Sequence, residues 1–272
     1  MKNYLLLLAF LTFATTQAQD KVKGNREPST VITMIEPFNS IEIGSDYEVS
    51  IVRGTTAQIE VTADSNLHQY LKPTVTNGLL TITSSVRIRS KKELKIRLIF
   101  PSDLTTIVVK EDAELSTITD YEAPALRLEV RDDAKVFMTA KVERFNLTMK
   151  SGSKGELNFK GDEATVILED NANLKALLDY DNATITMSSR SDARIDGDMK
   201  NATVKLESRA EFDGSNLVVK DLNVIVTDNA TAKVNASSTL NLKSNKDGKT
   251  ELHNTPTITI EEFNGNSILS KK

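Results

Sequence analysis

Residues 128–136, 147–155, 166–174 and 185–193 read LEVRDDAKV, LTMKSGSKG, VILEDNANL and ITMSSRSDA, and the same phrase returns on either side of them. Its small residue falls at Ala113, Ala134, Ser153, Ala172, Ser191, Ala210, Ala230 and Gly248, at spacings of 21, 19, 19, 19, 19, 20 and 18. Six positions earlier runs an unbroken apolar column: Ile107, Leu128, Leu147, Val166, Ile185, Val204, Val224 and Leu242. Four positions earlier stands a second column, from Val109 to Val226, interrupted only at its last place by Ser244. A fixed period with apolar positions locked in phase is the signature of stacked solenoid coils.

The columns also decide between helix and strand. Leu147-Thr148-Met149 and Ile185-Thr186-Met187 alternate apolar with polar, the two-residue period of a strand with one buried face. Between them and the small residue lie stretches such as Glu169-Asp170-Asn171 and Thr227-Asp228-Asn229, whose short side chains bond local backbone and so mark corners. The small residue lets the chain turn inside a narrow core. The expected fold is therefore all-β, a β-solenoid of about eight coils over residues 102–253, forming a rod of roughly 38 Å at ~4.8 Å per layer. An antiparallel sandwich would place turn signals about every 8 to 12 residues instead.

Outward from the repeats, residues 1–18 read as an export signal: Lys2, the apolar run from Tyr4 to Phe13, and a small-x-small cleavage site at Thr16-Gln17-Ala18. That run is too short for a membrane span. Residues 19–30 are expected as a flexible leader. Residues 31–101 alternate strongly but at irregular spacing, with turns at Gly44, Gly54 and Asn77-Gly78, a brief helical turn between Ser65 and Leu71, and Pro73 confined to an edge or loop. They are expected to be a β module, or a set of irregular coils, that caps the rod. Residues 254–272 are expected as the opposite cap and tail.

Composition excludes several classes of function. The formal charge is −4, and removal of the export signal takes the basic Lys2 with it, so no basic face for nucleic acid is apparent. There is no cysteine, which rules out disulfides, a lipid-bearing cysteine, thiolate zinc sites and cysteine nucleophiles. The only histidines, His68 and His253, lie in opposite end segments, too far apart for a triad. Without tryptophan, flat sugar-stacking platforms are scarce.

Two corner columns carry the remaining candidate chemistry. Asp132, Asp170 and Asp228, with Glu111, share one column; Asp112, Asp133, Asn171, Asn229 and Asp247 share the next. Stacked carboxylates could hold calcium through oxygen ligands, but the same residues are simply good turn formers, and the glycine-rich calcium nonapeptide of other β-rolls is absent. The repeated Asn-x-Thr triplets, such as Asn182-Ala183-Thr184 and Asn201-Ala202-Thr203, follow from the phase of the repeat. No catalytic residue and no cofactor is assigned.

Phe38-Asn39-Ser40-Ile41, then Ile99-Phe100-Pro101-Ser102-Asp103-Leu104, then the corner and strand Ser151-Gly152-Ser153-Lys154-Gly155-Glu156-Leu157, and the ending Asn254-Thr255-Pro256 resemble the DUF2807 family, also called the putative auto-transporter adhesin head GIN domain. The resemblance runs from about Val31 to Pro256. It implies a right-handed β-helix-like solenoid of exported, Bacteroidetes-type proteins, periplasmic, cell-surface or secreted. The expected function is a non-enzymatic, adhesin-like binder whose repetitive polar surface meets a cell-surface glycan or a protein through many weak contacts. The alternative is a pectin-lyase-like enzyme that processes polysaccharides. An enzyme should show a groove with converging carboxylates and Arg or Lys on consecutive coils, and a binding module an even surface.

Overall fold

The computed structural model describes residues 20–272, and the export signal expected over residues 1–18 lies outside them. Strands Tyr121–Val130, Lys135–Met149, Lys154–Leu168, Asn173–Met187, Asp192–Leu206, Glu211–Val226 and Thr231–Ser244 lie side by side in parallel. From Lys135–Met149 on, each winds once around the rod, and a four-residue corner such as Lys150 to Ser153 leads into the next. Leu147 pairs with Val166, and Val166 with Ile185, so like rests on like. The fold is the β-solenoid that the period demands, with about nine turns.

Stacking seals the interior. Leu128, Leu147, Val166, Ile185, Val204 and Val224 are all buried, as are Ala134, Ser153, Ala172, Ser191, Ala210 and Ala230 at the end of each corner. Size is matched between layers as well. Gly161 has no side chain where a Cβ would come 1.9 Å from the Val142 carbonyl oxygen. Through that gap the Tyr180 hydroxyl donates to the same Val142 oxygen at 3.1 Å, reaching past the coil between. Burial pushes the Tyr180 phenol well above its ordinary pKa. Tyr121 does the same task near the start of the stack, donating to the Leu104 carbonyl at 2.7 Å and accepting from its amide at 3.0 Å; burial pushes it up to about 12.

Each corner turns through one left-handed residue. Ser45, Glu111, Asp132, Ser151, Asp170, Ser189, Ser208, Asp228, Lys246 and Gly265 form a column with φ between 58° and 67°. This conformation is costly for a side chain other than glycine, by roughly 1–2 kcal/mol. It is held because the ladder between coils continues around the bend. Glu169 N–H donates to the Met149 carbonyl at 2.9 Å, Asn171 to Ser151 at 3.0 Å, and Asn173 to Ser153 at 2.9 Å. The equivalent trio one layer on, Ser188 to Leu168, Arg190 to Asp170 and Asp192 to Ala172, spans 2.8–3.0 Å.

The first strands join this stack directly. Ser40–Ile43 and Glu48–Arg53 run parallel to Thr106–Val109 and Glu114–Thr117, with Ile41 against Ile107 and Val49 against Leu115. One further layer, Leu79–Ser84 and Leu94–Phe100, runs parallel to these, and beyond it the direction reverses. Gln58–Asp64 crosses Leu94–Phe100 antiparallel, Pro28–Met34 crosses Gln58–Asp64, and among the described residues Leu71–Thr76 pairs only with Leu79–Ser84, which puts Pro73 on an edge. A single 3₁₀ turn, His68–Tyr70, falls within the stretch expected to be helical. At the other end, Thr257–Phe263 and Ile268–Lys271 add one more parallel layer over Thr231–Ser244 and Lys249–His253.

Buried Asp64 ties the start of the described chain to this end. Its Oδ2 accepts from the Lys92 amide at 3.0 Å and the Arg26 amide at 3.2 Å. Burial works to raise its pKa, but these donors, with the Glu93 amide, hold the carboxyl below its usual value. A depressed folded-state pKa stabilises fully above the unfolded value near about 4 and is lost as pH falls through the folded value. Stability should thus fall on acidification below about pH 4, and an Asp64→Asn variant, followed by urea melts across that range, should lose less. Identical slopes would contradict this role. In the coils, Gly161→Ala should lower stability by about 2 kcal/mol or more, and Tyr180→Phe by about 1 kcal/mol, in thermal or urea unfolding; a neutral Gly161→Ala would mean the close approach is absent.

Candidate functional site

Alternation along the strands sends every second side chain outward, and parallel register lines those side chains up along the rod. Three positions after the small residue, Ser116, Phe137, Glu156, Lys175 and Arg194 form one row across five adjacent strands. Two positions further, Thr139, Asn158, Leu177 and Asp196 form a second row across four of them. Between the rows the floor is Met138, Leu157 and Ala176, where the small Ala176 leaves the surface low. These residues line an open groove of about 840 Å³ that runs along the rod. Leu177 is 40% exposed in it, an apolar side chain among charges. At one end Arg194 Nε lies 3.7 Å from Asp196 Oδ1. Just past them the register breaks at Gly197, whose φ of 128° suits only glycine and where a Cβ would meet the Leu178 carbonyl oxygen at 2.2 Å.

A second, smaller groove of about 370 Å³ follows the Asn-x-Thr triplets. Ala164, Ala183 and Ala202 make its floor, Glu163, Asn182, Asn201 and Asp221 one rail, and Thr165, Thr184 and Thr203 the other. Asn201 Nδ2 donates to Asn182 Oδ1 at 2.9 Å, and Asn241 to Asn223 at 2.9 Å, so the rails are hydrogen-bonded ladders. The periodicity that generates these triplets also stacks them into a continuous polar surface.

The corner acids do something different. In each corner the left-handed residue's own amide takes no part in the ladder described above. Asp132 Oδ2 accepts it from Glu111 at 3.0 Å, and Asp170 Oδ2 accepts it from Ser151 at 3.3 Å. Asp228 likewise accepts from Ser208, and the Lys246 ammonium beside it, with that amide, holds its carboxyl below the usual range. Each carboxylate thus caps the turn one layer below. Asp132 and Asp170 stand two layers apart, and among the described residues no three acidic, histidine or cysteine side chains gather closely enough to hold a metal ion. His68 bonds Ser29 and His253 bonds Glu251, at opposite ends of the rod.

Sequence reading located the corner columns but missed the large groove. Coil lengths are nearly constant, and no long loop builds a wall. The groove comes instead from a change of side-chain size within one inward column, Met138, Leu157, Ala176 and Ile195, and from the break at Gly197; Ala176 and Gly197 were its only signals. The surface is therefore not even, and it sets Glu156, Lys175 and Arg194 on three consecutive layers. Among the described residues no helix is long and apolar enough to cross a membrane.

If the corner acids serve as caps, Asp170→Ala should cost about 1 kcal/mol or less, and millimolar calcium should leave the melting temperature of the unaltered protein unchanged. A rise of several degrees with calcium would contradict this.

The model of the family described as "Putative auto-transporter adhesin, head GIN domain" matches residues 37–176 and 153–256. Among solved structures, a putative adhesin from Parabacteroides merdae ATCC 43184 is similar at 16% identity and a TM-score of 0.71, covering 93% of this chain and 99% of that one. A putative adhesin from Parabacteroides distasonis ATCC 8503 is similar at 17% identity and a TM-score of 0.72, over 93% and 100% of the two chains. A protein of the same organism described as a putative lipid binding protein is similar at 17% and 0.68, again over 93% and 100%. At such identities the likeness speaks for the fold. No curated protein matches the sequence.

Proposed function

Because the chain belongs to the family of putative auto-transporter adhesin head GIN domains, we propose that it is an exported, non-enzymatic binding protein that holds an extended glycan or protein segment along its side. Export rests on the signal pattern of residues 1–18. Binding rests on one observation: an open groove crosses five layers in line with the rod, with outward side chains repeating at the layer spacing. A partner lying in it meets one weak contact per layer, and the contacts add because all are presented by one rigid stack. Phe137 and Leu177 supply apolar surface, and Glu156, Lys175, Arg194 and Asp196 supply charge and hydrogen bonds.

The same groove also favours a second reading. Glu156, Lys175 and Arg194 on consecutive layers are the combination that a polysaccharide-processing β-helix would need. Against it, Glu156 and Asp196 sit two layers apart on different rows, and Asp196 lies against Arg194. The two readings separate experimentally. A glycan array and a cell-surface capture assay with the processed protein should find a retained partner. Leu177→Asp and Lys175→Glu should each weaken its binding about tenfold or more with the melting temperature unchanged. Binding indifferent to both substitutions would remove the groove from the account. Turnover of acidic polysaccharides that disappears in Glu156→Gln would establish the enzyme instead.

A further inference from the structure

The two ends of the rod are closed differently. At the first, Gln58–Asp64 and its antiparallel partners, together with the turn at His68–Tyr70, fold over the stack, and Ile59 and Leu67 are fully buried. At the second, no strand lies over the last layer among the described residues. Ile258 sits over Leu240 and Ile260 over Leu242, in the same inward columns as every layer before. Leu240 and Leu242 are 0% exposed, while Ile258 is 43% and Ile260 50% exposed. Phe263, over Ser244, is 42% exposed. Thr257–Phe263 and Ile268–Lys271 are each paired on one side only among the described residues. A core cross-section and two unpaired strand edges thus face outward together, the arrangement that invites another chain to pair.

We infer that a second copy of this chain covers this end, tail to tail about a two-fold axis. Three features select that occupant. The surface is a cut through a stacked core, so the shape that completes it is another layer of the same kind. Its charge is mixed: Glu261 and Glu262 lie in one strand and Lys271 ends the other, with Glu261 3.0 Å from Lys243 and Lys272 3.4 Å from Glu251 within the single chain, so a two-fold contact can set Lys271 against the partner's acids. A head-to-tail arrangement fits poorly. The edge strand at the far end of the face that carries Thr257–Phe263 is Leu71–Thr76, where Pro73 offers no amide hydrogen and the strand runs against the stack. Pro28–Met34 also leaves Val31, Ile32 and Met34 exposed at that far end, but it flanks Gln58–Asp64, whose core side is already sealed. An isologous contact closes after two chains, whereas a heterologous one would grow into a filament.

Sedimentation velocity with the processed protein at about 1–100 µM tests this. The expected result is a reversible dimer and nothing larger. Ile260→Lys, at a side chain already half exposed in the single chain, should shift dissociation at least tenfold while circular dichroism and the melting temperature of dilute samples stay unchanged. Ile32→Lys at the opposite end should leave the dimer intact. A monomer throughout this range overturns the proposal, as does an open-ended series of oligomers that Ile32→Lys breaks. The groove-binding assays use a different surface, so loss of the dimer and loss of the partner are told apart.

Discussion

The hydrogen bond from an amide in one coil to the carbonyl directly beneath it is the constraint on which everything else in this molecule rests. It recurs not only along the flat strands but through the corners, as in Lys150 to Val130 and Arg190 to Asp170. Because it fixes each residue over its counterpart one turn away, a property of one position becomes a property of a column. Apolar positions become a sealed core, polar ones a rail, and the left-handed corner residue a line of turns with a carboxylate above several of them. A solitary non-glycine residue at positive φ would be strained; in this stack the ladder on either side of it holds the turn in place.

The same rule makes the layers interdependent. Tyr180 reaches the Val142 carbonyl only because Gly161, between them, has no side chain. The aromatic pair Phe145 and Phe159, with centroids 4.4 Å apart, fills two successive layers at different places in the cross-section. A side chain is therefore chosen against its neighbours above and below as much as against the core as a whole. This is why outward features such as the large groove can arise from one small residue, Ala176, without any inserted loop.

How much of this was legible in the sequence depends on how strictly each part obeys the period. The columns from Ile107 to Leu242 were readable because stacking leaves them no freedom, and Leu147, Val166 and Ile185 are vertical neighbours as their spacing requires. The corner acids were readable as turn residues, but their capping of the amide one layer below was not, since a hydrogen bond between coils leaves no trace in a single corner. In residues 31–101 the hidden part was direction. Alternation identified strands such as Gln58–Asp64, yet parallel and antiparallel pairings alternate in the same way along one strand. The grooves escaped because they depend on volume, and periodicity reports polarity.

Disulfide trapping would test the stacked register most directly, since the chain has no cysteine of its own. Asn146 and Thr165 are register partners on adjacent layers, and neighbouring strands lie about 4.8 Å apart, within reach of a disulfide. Asn146 and Thr184 are one layer further apart, at about twice that distance. With cysteines introduced in pairs, Asn146→Cys with Thr165→Cys should close rapidly under mild oxidation, and Asn146→Cys with Thr184→Cys should stay reduced. Closure of the second pair, or failure of the first in a folded protein, would contradict a fold in which each coil rests directly on the one before.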